Sequence, residues 1–274
     1  MNSRATGTAR RGGTGKRIVP VMARSGLATR GVLYVLVGVL AVRMAFGEGG
    51  GEEADRQGAL QELAGKPFGG ALVWAIGIGL VCMALWRLTE ACFGTAGPDG
   101  GKATKRLAAG ARAVFYAVVA FSVLSFAAGE GGRQSGDEQS RDVTAQALGW
   151  PAGQWLVGAV GVAIAIGGAV IAVQAARRSF RKHLDMSGVS PRVRKAVVFL
   201  GVCGGLARGA VFAAVGGFIT YAAVNYDPGQ ARGVDDTLRT FSGTPAGPWL
   251  LVLVAVGLIL FGVFSWAMAR WRKV

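Results

Sequence analysis

Apolar residues run through this chain in six long stretches: Gly31 to Phe46, Phe68 to Trp86, Leu107 to Ala128, Ala152 to Ala176, Gly209 to Val224 and Ala246 to Ala269. Charges within them are almost absent, and polar, glycine-rich segments separate them. A bilayer core about 30 Å thick is crossed by roughly 20 helical residues. Four of the runs approach or exceed that length alone, and the first and fifth reach it if their helices continue upstream through Arg30 and Arg208. The pattern therefore predicts an all-α membrane protein with six transmembrane helices.

The runs come in pairs that repeat. Three ladders of small, Arg, aromatic, small residues recur at four-residue spacing: Gly26-Arg30-Tyr34-Gly38, Ala108-Arg112-Tyr116-Ala120 and Gly204-Arg208-Phe212-Gly216. Each is followed by a Pro-x-Gly-x-x-Leu opening at Pro67, Pro151 and Pro245, which lie 37, 39 and 37 residues beyond the arginines. A fixed period of this kind marks a repeat architecture. The reading is three tandem helical hairpins: a basic tail over 1–17, then units over 18–94, 95–188 and 189–274. Proline suits the first turn of a helix, where its missing N–H is not needed. The segments Ala59-Leu63, Val143-Leu148 and Thr237-Phe241, just before the even spans, have the period of short interfacial helices. The outer loops open on Gly47-Glu48-Gly49-Gly50, Gly129-Glu130-Gly131-Gly132 and Asn225-Tyr226-Asp227-Pro228.

Composition agrees: 52% of residues are hydrophobic, 16% are charged, and the formal charge is +15, with mean hydropathy +0.43. Distribution matters more than the total. If loops alternate between two sides, the side holding both termini carries twenty-three basic and three acidic residues, and the other carries seven and twelve. The positive-inside rule then places both termini in the cytoplasm. It also explains the basic residues without nucleic acid, for which no aromatic-interleaved basic module is present. Trp150, Trp155 and Trp249 at the outer ends, and Trp86, Trp266 and Trp271 at the inner ends, fit aromatic belts.

The three repeated arginines are the candidate site, with Tyr34, Tyr116 and Phe212 one turn on. An arginine within a span is costly and is a functional candidate for that reason. From Arg30, Arg112 and Arg208 to the first outer acid (Glu48, Glu130, Asp227) there are 18, 18 and 19 residues, roughly 27 to 29 Å of helix. The arginines are thus expected near the cytoplasmic boundary, snorkelling to headgroups, each with the aromatic on its own helix as a cation–π partner. If they instead converge, they form a ring that attracts an anion or a lipid headgroup. Along the fifth span, Gly201, Gly205, Gly209, Ala213 and Gly217 form a small-residue stripe for a neighbouring helix, in the same chain or another copy.

Other chemistry finds little support. Cys82, Cys92 and Cys203 lack CxxC spacing and read as packing residues, and His183, the one histidine, sits among Arg181, Lys182 and Asp185 in a polar loop. Neither a nucleophilic triad nor a metal centre can be assembled from these. Gly12 to Lys16 resembles a phosphate loop only superficially, because Arg10 and Arg17 stand where glycine and Ser or Thr are required. Glu90 stands alone at an inner helix end.

With its three Arg-[Gly/Ala]-x-x-[Tyr/Phe] helices alternating with Pro-x-Gly helices, the chain from about Arg24 onward resembles the bacterial membrane family of domain of unknown function 1206. That resemblance implies a six-helix protein of the bacterial cytoplasmic membrane and no particular activity. The third unit departs from the pattern at Phe212 and at Asn225 to Pro228. The resulting expectation is a non-enzymatic membrane component without cofactor or metal. It would contact anionic inner-leaflet lipids, other membrane proteins or a second copy through its glycine stripes. The alternative is a small transporter or channel selected by the arginine ring.

Overall fold

A computed structural model of the chain describes residues 15–46, 54–94, 101–129, 136–242 and 247–272. The described residues form nine α-helices and no β-strand: α1 Gly15–Ala45, α2 Arg56–Ala64, α3 Gly69–Phe93, α4 Ala103–Ala127, α5 Gly136–Leu148, α6 Gly153–Ala176, α7 Pro191–Val224, α8 Val234–Ser242 and α9 Gly247–Trp271. Six of them, α1, α3, α4, α6, α7 and α9, are long and apolar enough to cross a membrane. Many of their large apolar side chains face outward, including Phe121, Trp155, Ile166 and Leu253. In water this surface would be untenable; against lipid tails it is the expected exterior.

The long helices pack in the order α4, α3, α1, α9, α7, α6, with α1 to α9 and α6 to α7 among the closest pairs. Glycine sets these approaches. A Cβ on Gly26 would lie 2.7 Å from that of Met83, and one on Gly79 would collide with Thr29, so α1 and α3 run antiparallel in near contact. Gly38 and Gly262 do the same between α1 and α9, where a Cβ would meet Ile259 and Val35 at 2.6 Å. The stripe on α7 is used within the chain. Gly205 faces Ala175, and Gly209 and Ala213 face Gly168, while Gly216, beside the stripe, faces Gly161 and Ala165, all on α6. Gly201 instead receives Phe180 and Phe264, and Gly217 meets nothing within 4 Å, so the stripe serves more than one neighbour.

At one end of the bundle α2, α5 and α8 occupy the three predicted short-helix segments and pack onto the long helices as a cap. Leu60 of α2 and Leu238 of α8 are fully buried in the cores beneath. Asp55 caps α2 by accepting from the Gly58 amide at 2.8 Å, and such caps are worth about 1 kcal/mol. The buried Asp235 of α8 accepts from the Ala54 amide at 2.7 Å and from Arg239 at 2.6 Å. Arg141 of α5 pairs with Asp236, and the Tyr226 hydroxyl donates to the Leu148 carbonyl at 2.9 Å. The three units are thus cross-linked at this end.

The Pro-x-Gly motif has a different basis from the one its sequence suggests. Pro67 and Pro151 precede the helices, which begin at Gly69 and Gly153. The intervening Phe68 and Ala152 take left-handed conformations, with φ of 62° and 63°. A Cβ on Gly69 would strike the Leu63 carbonyl, and one on Gly153 the Ala147 carbonyl, because the chain turns back sharply from cap helix to span. Glycine is required there for close approach, and proline stiffens the corner. The third copy, Pro245 to Gly247, and the first outer loop opening at Gly47 lie outside the described residues or side chains.

The glycine contacts predict a paired result. Gly168→Val drives a side chain into the Ala213 backbone and should destabilise the protein by about 1–3 kcal/mol, read as a lower Tm in detergent. Gly167→Val, with nothing within 4 Å of the added Cβ, should leave Tm nearly unchanged. Equal effects would contradict the α6–α7 packing.

Candidate functional site

Two of the three repeated arginines, Arg30 and Arg208, meet over the Phe261 ring, whereas Arg112 is exposed on α4. Arg30 is 7% exposed, too enclosed to snorkel to headgroups as its spacing suggested. Its Nε donates to the Ser265 hydroxyl at 3.2 Å, and Ser265 in turn donates to the Phe261 carbonyl at 2.9 Å. The guanidinium lies 5.1 Å from the Phe261 ring centre. Arg208 approaches three rings, Phe261 at 4.9 Å, Phe212 at 5.2 Å and Tyr34 at 5.6 Å. Tyr34 meets Phe261 edge-on at 4.8 Å.

Aromatic partners are therefore exchanged between units. Phe212 serves the arginine of its own helix, as spacing predicts. Tyr34 of the first unit serves Arg208 of the third, and Phe261 of the third serves Arg30 of the first. The phenol of Tyr116, from the second unit, lies in the field of Arg30, Arg208 and Arg87. Each such contact is worth roughly 0.5–2 kcal/mol, more where water is excluded.

Nearer the basic end lies a group that sequence spacing did not reveal. Arg87 is buried and pairs with Glu90 at 2.5 Å. Arg272, just beyond α9, approaches the other Glu90 oxygen at 3.7 Å. Glu90, which stands alone in the sequence, is thus clasped by two arginines. Both guanidiniums lie over the ring of Trp86, at 4.2 Å and 4.6 Å. Trp86 is only 2% exposed, so it belongs to this interior group and not to the aromatic belt its position suggested. Arg112 is exposed on α4 and interacts electrostatically with Arg87, Glu90, Tyr116 and Arg208. The only signal in the sequence for this layer was an acid, Glu90, on a side otherwise nearly free of acids.

Two guanidiniums thus clasp the Glu90 carboxylate, while Arg30 and Arg208 rest on aromatic rings. Arginine stays protonated at any biological pH, so this excess cannot be relieved by proton loss. Two donors are also unmatched: Nε of Arg87 and Nε of Arg208 are buried with no hydrogen-bond partner. An unsatisfied buried donor costs about 1–3 kcal/mol. Both facts leave this end of the bundle with more guanidinium donors and positive charge than its own acceptors offset.

The field reaches the adjoining loop. Burial first, then Arg87, push Arg272 down to about 9 against the opposing pull of Glu90, which leaves it charged at neutral pH. Partial burial, then Arg272, Lys182 and Lys105, hold His183 below its ordinary value. The loop is tied to this end by the Asp185 amide, which donates to the Trp271 carbonyl at 2.8 Å. Because His183 is the chain's one histidine, its imidazole should titrate below 6.5 by NMR, and Arg272→Gln should raise the midpoint. A midpoint at or above 6.5 would contradict a net positive cluster.

Comparison with known proteins gives the same threefold division. The family model described as Domain of Unknown Function (DUF1206) matches at residues 25–94, 107–178 and 203–272. "Uncharacterized protein YxxB" of Bacillus subtilis (strain 168) is 32% identical over 244 residues, covering 88% of this chain and 87% of that protein. No solved structure matches. Its three matched units, six apolar helices and likeness to that relative over most of both chains make this chain a multi-pass membrane protein of the DUF1206 family, whose function is unknown.

Proposed function

We propose that this protein is a non-enzymatic component of the bacterial cytoplasmic membrane, built as three tandem two-span units with both termini inside. In this reading its basic end holds an anionic phosphate-bearing group. The single observation that carries the proposal is the excess of arginine over acid at that end, where Arg87 and Arg272 clasp Glu90 and the Nε donors of Arg87 and Arg208 are buried and unmatched. The orientation rests on the positive-inside excess at that same end. Contact with anionic lipid or with an acidic partner in the membrane follows from the sign of the charge. Binding is favoured over permeation because Arg30, Arg208, Tyr34 and Phe261 pack against one another between α1, α7 and α9.

Protein stripped of lipid in a neutral detergent should gain thermal stability with inorganic phosphate beyond that given by chloride at equal ionic strength. Replacing Arg30, Arg112 and Arg208 together with Gln should remove that gain, and wild-type protein in vesicles should pass no chloride or phosphate. Phosphate and chloride acting alike would refute the anion site. Flux that disappears in the Gln variant at normal abundance would instead establish a transporter.

A further inference from the structure

Between α1 and α9, at the end of the bundle that carries Arg272, lies a groove of about 780 Å³. Arg24, Ser25 and Ala28 line it from α1, and Trp266, Arg270 and Trp271 from α9. A second cavity of about 320 Å³ shares Arg24, Arg270 and Trp271 with it and adds Asp185, Ser187 and Arg272. One wall is fixed in place by both helices. The Trp266 indole N–H donates to the Ala28 carbonyl at 3.0 Å, and its ring fills the notch left by Gly31, where a Cβ would strike it. Arg270 follows one turn later on the same face of α9.

The chain's own acids do not offset the charge in this groove. No Asp or Glu precedes Glu48 or follows Asp236, so neither terminal segment brings an acidic side chain to it. Asp185, the acid lining the second cavity, accepts from the Ser187 amide at 3.2 Å and from its hydroxyl at 2.6 Å. Among the described residues no acid pairs with Arg24 or Arg270. Both are exposed, so a ligand reaches them, unlike the enclosed Nε donors of Arg87 and Arg208. Depth identifies the anion they meet. Arg24 lies five residues inside the apolar span Val19–Ala45, and Arg270 is next to the last residue of Pro248–Trp271. The groove thus opens where a span ends, at the level of lipid headgroups, and its indoles suit that boundary.

We infer that the α1–α9 groove binds the headgroup of an anionic phospholipid, its phosphate held by Arg24 and Arg270 beside the Trp266 ring. This rests on the contact with anionic lipid proposed above and gives it a place. Guanidinium is matched to phosphate by charge and by its fork of N–H donors. A free phosphate ion would occupy only a small part of the groove, whereas a headgroup with its glycerol fills more of it and stays joined to chains in the bilayer. A zwitterionic headgroup brings an ammonium toward the same arginines and is disfavoured.

Native mass spectrometry tests this with phosphatidylglycerol and phosphatidylcholine of identical chains, titrated into delipidated full-length protein. The wild type should bind phosphatidylglycerol more tightly. Arg24→Gln should weaken that binding about fivefold, and Arg24→Gln with Arg270→Gln roughly twentyfold, with little change for phosphatidylcholine. Arg24→Lys with Arg270→Lys, which keeps the charge, should retain most of it. Arg192→Gln with Lys195→Gln removes the same charge from exposed positions at the start of α7, outside the groove, and should change binding less than about twofold. Equal losses from the two Gln pairs would show attraction by charge alone and overturn the groove. A preference for phosphatidylglycerol that survives loss of Arg24 and Arg270 overturns the groove and leaves the lipid reading standing. No preference in the wild type sinks both. Displacement of the lipid by millimolar glycerol 1-phosphate would assign the groove to a soluble phosphate ester and overturn the lipid as its occupant.

Discussion

A guanidinium keeps its charge at biological pH, and a helix that carries one between apolar neighbours must find it company. The bundle meets this constraint at Arg30 and Arg208 with the faces of Phe261, Phe212 and Tyr34 and with the Ser265 hydroxyl. Apart from Phe212, which shares a helix with Arg208, these partners come from other helices. The arginines are satisfied only when the first and third units are docked, so the same contacts that shelter the charge also join the repeats. Burial without compensation would cost several kcal/mol per ion, enough to govern how the helices are arranged.

Two other features follow from that arrangement. Aromatic rings reach across a helix interface only if the backbones approach closely, and Gly31, Gly38, Gly204 and Gly262 permit this between α1, α7 and α9. At the opposite end, α2, α5 and α8 bridge the units through Asp235, Arg141 and Tyr226. The bundle is thus held by charge–aromatic exchange near the basic end and by polar bridges at the cap. Between these ends only the second unit departs from the pattern, because α4 packs on α3 and α6 on α7 without closing on each other.

Much of this was legible in the chain. The six apolar runs, the threefold period and the short cap segments all mark helices that form, because each signal is local: hydrophobic length, or spacing within a turn. The partner of each arginine was not legible. Spacing pointed to the aromatic one turn along the same helix, which held for Phe212; Arg30 instead lies over Phe261, more than two hundred residues away. Nor could counting to the outer acids distinguish a side chain that snorkels outward from one turned inward, since depth along a helix says nothing about the face it occupies. Arg87 and Arg272 escaped notice for a related reason: they sit next to Trp86 and Trp271 in sequences that read as ordinary span ends.

The central claim is that the repeats interlock by exchanging aromatic partners for their arginines. A double-mutant cycle on stability in detergent measures it. Tyr34→Leu should couple to Arg208→Gln by about 1 kcal/mol, and clearly less to Arg30→Gln on its own helix. A Tyr34 coupled chiefly to Arg30, and independent of Arg208, would contradict the account.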